Sequence, residues 1–309
     1  MLCQFANTFP GFVSKFLAKG HTLKRRFREE TVTDLLMGSL ITAAGGRLVV
    51  EFPNEPVTGA DMEWNFVDLR SRVFFRILLQ AKQAYGGGDL WSRHAYRELY
   101  HASGTGSKLQ AVTLCDTART TPATYPLYIF YNAETTIALA RSKGVRNLAG
   151  VNLADGYEVE RLVLAAKGRT LRTRNRSVGT IWPLLEPLSS LFCPPSVYPM
   201  PPMSYSGDTM SFVISRDEDG RPVAGTPLPP DPITVRERIV SIAEASRNQS
   251  GSRQTVSKVS RVPEVSHSIP EDIQEVIERR RIPYSSSQPL DRWRLTFVSA
   301  RHSDDGDAI

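Results

Sequence analysis

An α/β fold with core order αβββαβ, a Pro-rich linker and a small C-terminal extension is predicted by three observations. A segment with helical spacing, EETVTDLLMGSLITAAGG (29–46), precedes three with strand character: RLVVEF (47–52), DMEWNFVDL (61–69) and RVFFRILLQAK (72–82). A second helical segment, SKLQAVTLCDTAR (107–119), then leads into the apolar run YPLYIFYN (125–132). Beyond this core, 10 of the 21 prolines lie between Pro194 and Pro232. Proline lacks a backbone N–H and resists both helix and central strand, so this stretch reads as an extended linker.

In the first helix Val32, Leu35, Leu36, Leu40 and Ala43 form one apolar stripe, and Gly45-Gly46 ends it. The strand RLVVEF stops at Pro53. Strict alternation over 61–69 puts Asp61, Glu63 and Asn65 on one face and Met62, Trp64 and Phe66 on the other, which makes Trp64 a core residue. Along 72–82, Val73, Phe75, Ile77, Leu79 and Ala81 share one side, while Gln80 and Lys82 point to the opposite one. Gly86-Gly87-Gly88 is not followed by GK[ST], so it reads as a flexible loop and not as a phosphate cradle. Two more helices are expected near 133–143 and 155–166. Residues 1–193 thus form the folded domain, 194–232 the linker and 233–309 a small, partly disordered C-terminal region. Within that region ITVRERIVSIAEAS (233–246) and PEDIQEVIERRR (270–281) have helical character, 247–268 is serine-rich and polar, and RWRLTFVSA (292–300) alternates like a strand.

The 309 residues suit one large domain or two modest ones. Hydrophobic residues at 41% and charged residues at 23% exclude a wholly disordered chain and a coiled coil. No apolar run approaches the roughly 18 residues that a membrane span needs. The N-terminal stretch has no charged region ahead of its apolar residues, and Pro10 and Gly11 interrupt it, so no secretory signal is expected. Cys3, Cys115 and Cys193 lie far apart with no CxxC pair, so neither a zinc site nor a disulfide framework is expected, and a reducing cytoplasm fits. The five histidines show no metal spacing and receive no role. The net charge of 38 − 32 = +6 suits a polyanionic partner. Two acid-free basic stretches add to that: Lys15, Lys19, Lys24, Arg25, Arg26 and Arg28, then Lys167, Arg169, Arg172, Arg174 and Arg176. Such clusters make salt-dependent phosphate contacts without reading bases.

Chemistry concentrates at three places: Gly59-Ala60-Asp61 opening the second strand, Gln80-Ala81-Lys82 closing the third, and Glu29-Glu30 starting the first helix. A hairpin near 68–72 would set Asp61 and Glu63 on the same face as Gln80 and Lys82. A carboxylate, an amide oxygen and an ammonium would then share a small volume, which suits a hard divalent cation with oxygen ligands. Acids at a helix start are also favoured by the macrodipole alone, which is the simpler reading of Glu29 and Glu30.

The ordered set of acid on the first helix, GxD on the second strand and QxK on the third resembles the PD-(D/E)XK nuclease superfamily, in its Mrr-like QxK branch. FREETVTDLL, FPNEPVTGADMEW, LLQAK and PLYIFYN are also similar to an uncharacterised bacterial family with that core. The resemblance covers residues 25–135 and implies a restriction-endonuclease-like core. It implies that Asp61, Gln80 and the Ala81 carbonyl bind Mg²⁺ or Mn²⁺ and that Lys82 orients the attacking water. For the helix acid it points to Glu29, with Glu30 second, because related sequences carry Leu-Leu six and seven residues on, where Leu35-Leu36 stand. Glu63 is an extra carboxylate that would replace the charge Gln80 lacks, and Gln110 on the second helix stands where relatives carry a polar helper. The implied activity is metal-dependent cleavage of nucleic acid, DNA rather than RNA, in a bacterial defence setting, with a homodimer left open. One alternative is a catalytically silent module on the same fold that binds nucleic acid or protein. Another is an α/β interaction protein whose Pro-rich tail docks partners.

Overall fold

A mixed β-sheet organises the chain. The computed structural model describes residues 2–23, 27–44, 48–51, 60–102, 108–166, 168–193, 215–216, 222–223, 229–249, 262–279 and 293–299. In chain order the elements are α1 (Leu2–Thr22), α2 (Glu29–Ala44), β1 (Leu48–Glu51), β2 (Met62–Asp68), β3 (Val73–Tyr85), β4 (Ala95–Tyr96), α3 (Gln110–Thr120) and β5 (Thr124–Tyr131). There follow α4 (Glu134–Ser142), β6 (Val151–Asp155), α5 (Gly156–Ala165), α6 (Arg169–Asn175), α7 (Val178–Ile181), β7 (Glu186–Pro187) and α8 (Ser189–Phe192). The last are the short pair β8 (Ser215–Arg216) and β9 (Pro222–Val223), then α9 (Pro232–Gln249), α10 (Glu271–Arg279) and β10 (Trp293–Val298). The main sheet runs β1-β10-β2-β3-β5-β6-β7, with β4 paired to the end of β3. The pairs β10–β2 and β3–β5 are parallel and the other neighbours antiparallel.

The expected α/β class holds, and the six expected segments are helix or strand as read, with α1 ahead of them and β4 between β3 and α3. β2 and β3 form the expected hairpin, in the register Met62↔Leu79, Trp64↔Ile77 and Phe66↔Phe75. Its turn is set by Asp68, whose Oδ1 accepts the backbone N–H of Arg70 at 2.9 Å and of Ser71 at 3.3 Å, while Arg72 takes a positive φ of 56°. Trp64, Phe66, Ile77 and Leu79 form one buried face with Leu127 and Ile129, packed by residues of α1, α2, α8 and α9. The opposite face, with Leu78, Tyr128, Phe130 and Ala154, packs against α3, α4 and α5 through Leu114, Ile137 and Val159.

Four expectations are corrected. The described parts of 233–309 are not a separate region. β10 lies inside the main sheet between β1 and β2, and Val235, Ile239 and Ile242 of α9 belong to the same core as Trp64. The alternation seen in RWRLTFVSA is therefore that of a central strand: Phe297 is fully buried and stacks on Phe66 at 4.8 Å between ring centres. Second, the N-terminal stretch is a 21-residue helix that runs through Pro10. Proline removes one helical hydrogen bond, but Leu2, Phe5, Phe9, Val13 and Leu17 bury a continuous stripe that holds the helix. Gly150 lies against this turn so closely that a Cβ there would come within 1.8 Å of the Pro10 carbonyl oxygen. Third, Cys3 and Cys193 form a disulfide that joins α1 to the end of α8, with their Cα atoms 4.6 Å apart. Their separation of 190 residues hid the pair from any spacing argument. Fourth, the glycine loop is pinned. His94 is fully buried, bonds Thr136 Oγ1 at 2.9 Å and the Gly88 carbonyl at 3.0 Å, and sits where a Cβ on Gly86 would stand 2.6 Å from its Cα. Most of the Pro-rich stretch 194–232 lies outside the described residues, apart from the β8–β9 pair and 229–232.

Two predictions test this architecture. Phe297→Ala empties a site between Trp64 and Phe66, and such a truncation costs about 3–5 kcal/mol; urea unfolding of the full chain should show that loss, whereas a detached tail would show none. Peptide mapping without reductant should recover Cys3 linked to Cys193, and Cys3→Ser should lower stability by about 2–4 kcal/mol.

Candidate active site

The site is built at the open end of the β2–β3 hairpin. The Asp61 N–H donates to the Leu79 carbonyl at 2.8 Å, which carries the pairing one residue beyond β2. That step sets Asp61 opposite Gln80. Asp61 Oδ2 accepts the Ala81 N–H at 2.8 Å and also the side-chain amide of Gln80. Gln80 and Lys82 are buried on the Leu78 side of β3, and the parallel neighbour β5 sets Tyr128 beside Gln80 and Phe130 beside Lys82. Glu29 opens α2 and reaches the same place. Its Oε1 accepts from Lys82 Nζ at 3.4 Å and its Oε2 from the Gln83 N–H at 3.0 Å. Glu30, one residue on, is exposed.

Two carboxylates share one ammonium here. Burial raises Glu29 to about 8, against the opposing pull of Lys82, and the charge on Asp61 adds to the rise. Burial raises Asp61 as well, opposed by Lys82 and by the Ala81 N–H. The excess negative charge gives the site a demand for a proton or a cation. An acceptor stands ready: Gln80 Oε1 is buried without a partner, as is the Tyr128 hydroxyl. Asp61, Gln80 and the Ala81 carbonyl are hard oxygen donors of the kind a divalent cation takes. The Gln80 amide turns its N–H₂ to Asp61. A cation between the two would turn the amide oxygen inward instead, an inversion the amide geometry allows. Among the described residues no cluster of three or more His, Cys, Asp or Glu side chains is arranged to hold a metal. The site thus has two carboxylates, Asp61 and Glu29, with the Gln80 amide beside them.

Glu63 shares this face but is occupied elsewhere. It is fully buried, accepts from Asn65 Nδ2 at 3.0 Å, and lies 3.3 Å from Arg76 Nε and 3.0 Å from Arg294 Nε. Arg294 also reaches Asp272 of α10 at 3.2 Å. Leu78, opposite Glu63 in the register, separates this ion network from Gln80. Gln110 opens α3 with its amide oxygen buried and unpartnered. Two contributors were missed from the sequence: the Gln83 N–H and Tyr128. The alternation of YPLYIFYN carried the second, because a parallel strand beside QAK must present Tyr128 to Gln80. Of the basic residues, Lys15, Lys19, Arg28, Arg169, Arg172 and Arg174 are exposed and Arg176 is half-buried. Gly59, Lys24, Arg25, Arg26 and Lys167 lie outside the described residues. Among the described residues no helix is long and apolar enough to cross a membrane.

Fold and site together define an α/β protein in which a buried amide and lysine meet two half-buried carboxylates at one end of a mixed sheet. The chain belongs to DUF6615, a family of unknown function whose model matches residues 2–304. No curated protein and no solved structure matches it.

The raised Glu29 sets a pH dependence. Between the ordinary carboxylate value of 4.5 and about 8, the folded metal-free chain binds a proton that the unfolded chain does not. Stability therefore falls as pH rises through that window. Glu29→Gln should flatten the fall, read as thermal unfolding in EDTA across the same range; an unchanged pH slope would contradict the assignment.

Proposed function

We propose that the protein is a Mg²⁺- or Mn²⁺-dependent nuclease built on a restriction-endonuclease-like core of the PD-(D/E)XK type, cleaving DNA in preference to RNA. The observation that carries this reading is the convergence of Asp61, Gln80, Lys82 and Glu29 at one point, with a buried amide oxygen on Gln80 left unpartnered. Asp61, Gln80 and the Ala81 carbonyl would hold the cation, which when bound polarises a phosphoryl oxygen and makes a nearby water acidic.

The chain's own groups supply the rest. Lys82 is an ammonium with three donors, and one is committed to Glu29 Oε1. The others can hold a water and a non-bridging phosphate oxygen at once, so that charge developing on the phosphate meets a fixed positive group. Glu29 keeps the long lysine chain in one rotamer, and its raised proton affinity suits it to take a proton from the Lys82 side of the site. Burial of Lys82 and Gln80 keeps bulk water away from both. Asp61 and Glu29 are only partly buried, so a phosphodiester would reach the cluster past these two carboxylates.

The glutamine in place of a third carboxylate, and the absence of a three-acid cluster among the described residues, favour one second reading: a silent module that binds without cutting. Plasmid nicking in Mg²⁺ separates the two. The nuclease reading expects cleavage that EDTA abolishes and that Lys82→Ala and Asp61→Asn each lower by about 10²–10³-fold. Cutting that is indifferent to both substitutions, or none by the parent chain, would sink it.

A further inference from the structure

We propose that the arginine surface of α6 holds the sugar-phosphate backbone of the nucleic-acid strand that flanks the candidate active site, with the turn Arg97–Tyr100 as the bridge between them. The inference rests on the nuclease reading only for where the strand leads; the binding surface stands on separate observations.

The first is unspent charge. In α6 Arg169, Arg172 and Arg174 are exposed with no acid among them. Among the described residues none of the three is in a salt bridge, whereas Arg76, Arg119, Arg161, Arg236 and Arg294 each face a carboxylate. What sets α6 apart is density: three exposed arginines fall within six residues of one helix, with no acid between them.

The second is connection. β4 pairs with the end of β3 through Tyr85↔Ala95, and Ala95 in turn bridges Ser177, just past α6. The Tyr96 N–H donates to the Arg176 carbonyl at 2.9 Å. The strand that carries Lys82 is thus stitched by backbone bonds to the end of the arginine helix. Lys82 to Tyr85 is three strand residues, about 10 Å. From there Arg97 lies over the Tyr85 ring at 5.9 Å, and Arg172 over the Tyr100 ring at 5.7 Å, at the two ends of one 3₁₀ turn. Glu98 in the middle of that turn is near enough to Glu29 to be felt by it electrostatically. Cationic planes on aromatic faces, stepping away from the catalytic lysine, match a strand with one phosphate per about 3.4 Å of axis.

The third is sidedness. Tyr96, Leu99 and Val178, around this bridge, pack in the same cluster as Leu78 and Tyr128, the face on which Gln80 and Lys82 lie. Lys15 and Lys19 ride on α1, which packs on the opposite face. Arg141, Lys143 and Arg146 near the end of α4 lie on the side of the site as well, but among the described contacts it is the end of α6 that is joined by backbone bonds to β4 and through it to the strand of Lys82.

The test is fluorescence anisotropy of the full chain with labelled duplex DNA and labelled single-stranded DNA, in EDTA so that nothing is cut, over a salt series. Arg169→Glu, Arg172→Glu and Arg174→Glu together should weaken binding of whichever probe the parent holds by about tenfold or more and make the salt dependence shallower by about 0.9 per lost contact. The Gln substitutions at the same three positions should give a smaller loss in the same direction. Lys15→Glu with Lys19→Glu serves as the control of equal sign. Unchanged affinity in the arginine variants, an equal loss in the lysine control, or no binding of either probe by the parent would each overturn the proposal. Cleavage in Mg²⁺ is measured in parallel. Cutting without arginine-dependent binding refutes this surface and leaves the nuclease; arginine-dependent binding without cutting refutes the nuclease and leaves this surface.

Discussion

One carboxylate oxygen holds the site together. Asp61 Oδ2 takes the Ala81 N–H and the Gln80 amide, while the Asp61 N–H is given to Leu79. These contacts extend the β2–β3 ladder past the last apolar pair and fix which way Gln80 turns. They also set the register of Lys82, since a slip of one residue would send its ammonium to the Trp64 face. Glu29 reads that register from the helix side, through the Gln83 N–H and the Lys82 ammonium. A helix and two strands thus meet through polar contacts, in a place where apolar packing alone would leave their relative height undetermined.

Burying this much charge is costly unless every group has a counterpart. The molecule handles it with two separate centres on one face. In the Glu63 centre Arg76 and Arg294 face one fully buried glutamate, Asn65 donates to it as well, and Arg294 also meets Asp272, so two cations stand against two carboxylates. In the Asp61 centre two carboxylates share Lys82, so negative charge is in excess and an acceptor stays unmet. The first has what a structural ion cluster needs, and it ties the late strand β10 and α10 to β2. The second keeps an unmet acceptor that the first lacks, although alternation sets both acids on the same face.

The helix, the hairpin and the Asp61–Gln80–Lys82 alignment were legible because they rest on local periodicity and on a short connection. Trp64 in the core followed from the same alternation. What escaped depended on contacts distant in sequence. The Cys3–Cys193 pair spans nearly two thirds of the chain, and β10 enters the sheet more than two hundred residues after its neighbour β2. The N-terminal helix escaped for a different reason: Pro10 is a sound local signal against a helix, overridden by an apolar stripe whose partners come from later in the chain. Glu63 shows the limit of face arguments, since two carboxylates on one side of a strand need not share a centre when an arginine from elsewhere stands closer.

The two ends of the chain close the sheet in complementary ways. α1 covers the Trp64 face and is fastened by the disulfide to Cys193, the residue that follows α8. β10 fills the gap between β1 and β2, and it brings Arg294 to a glutamate that Arg76 reaches only from the other side. Without β10, β1 would have no described partner strand, and Glu63 would keep one arginine against a fully buried charge. The β2 backbone that carries Asp61 is therefore held from both flanks, by β3 through local pairing and by β10 through the last described segment of the chain. A site that needs its carboxylate, amide and ammonium fixed to a fraction of an ångström gains that rigidity from residues that carry no chemistry of their own.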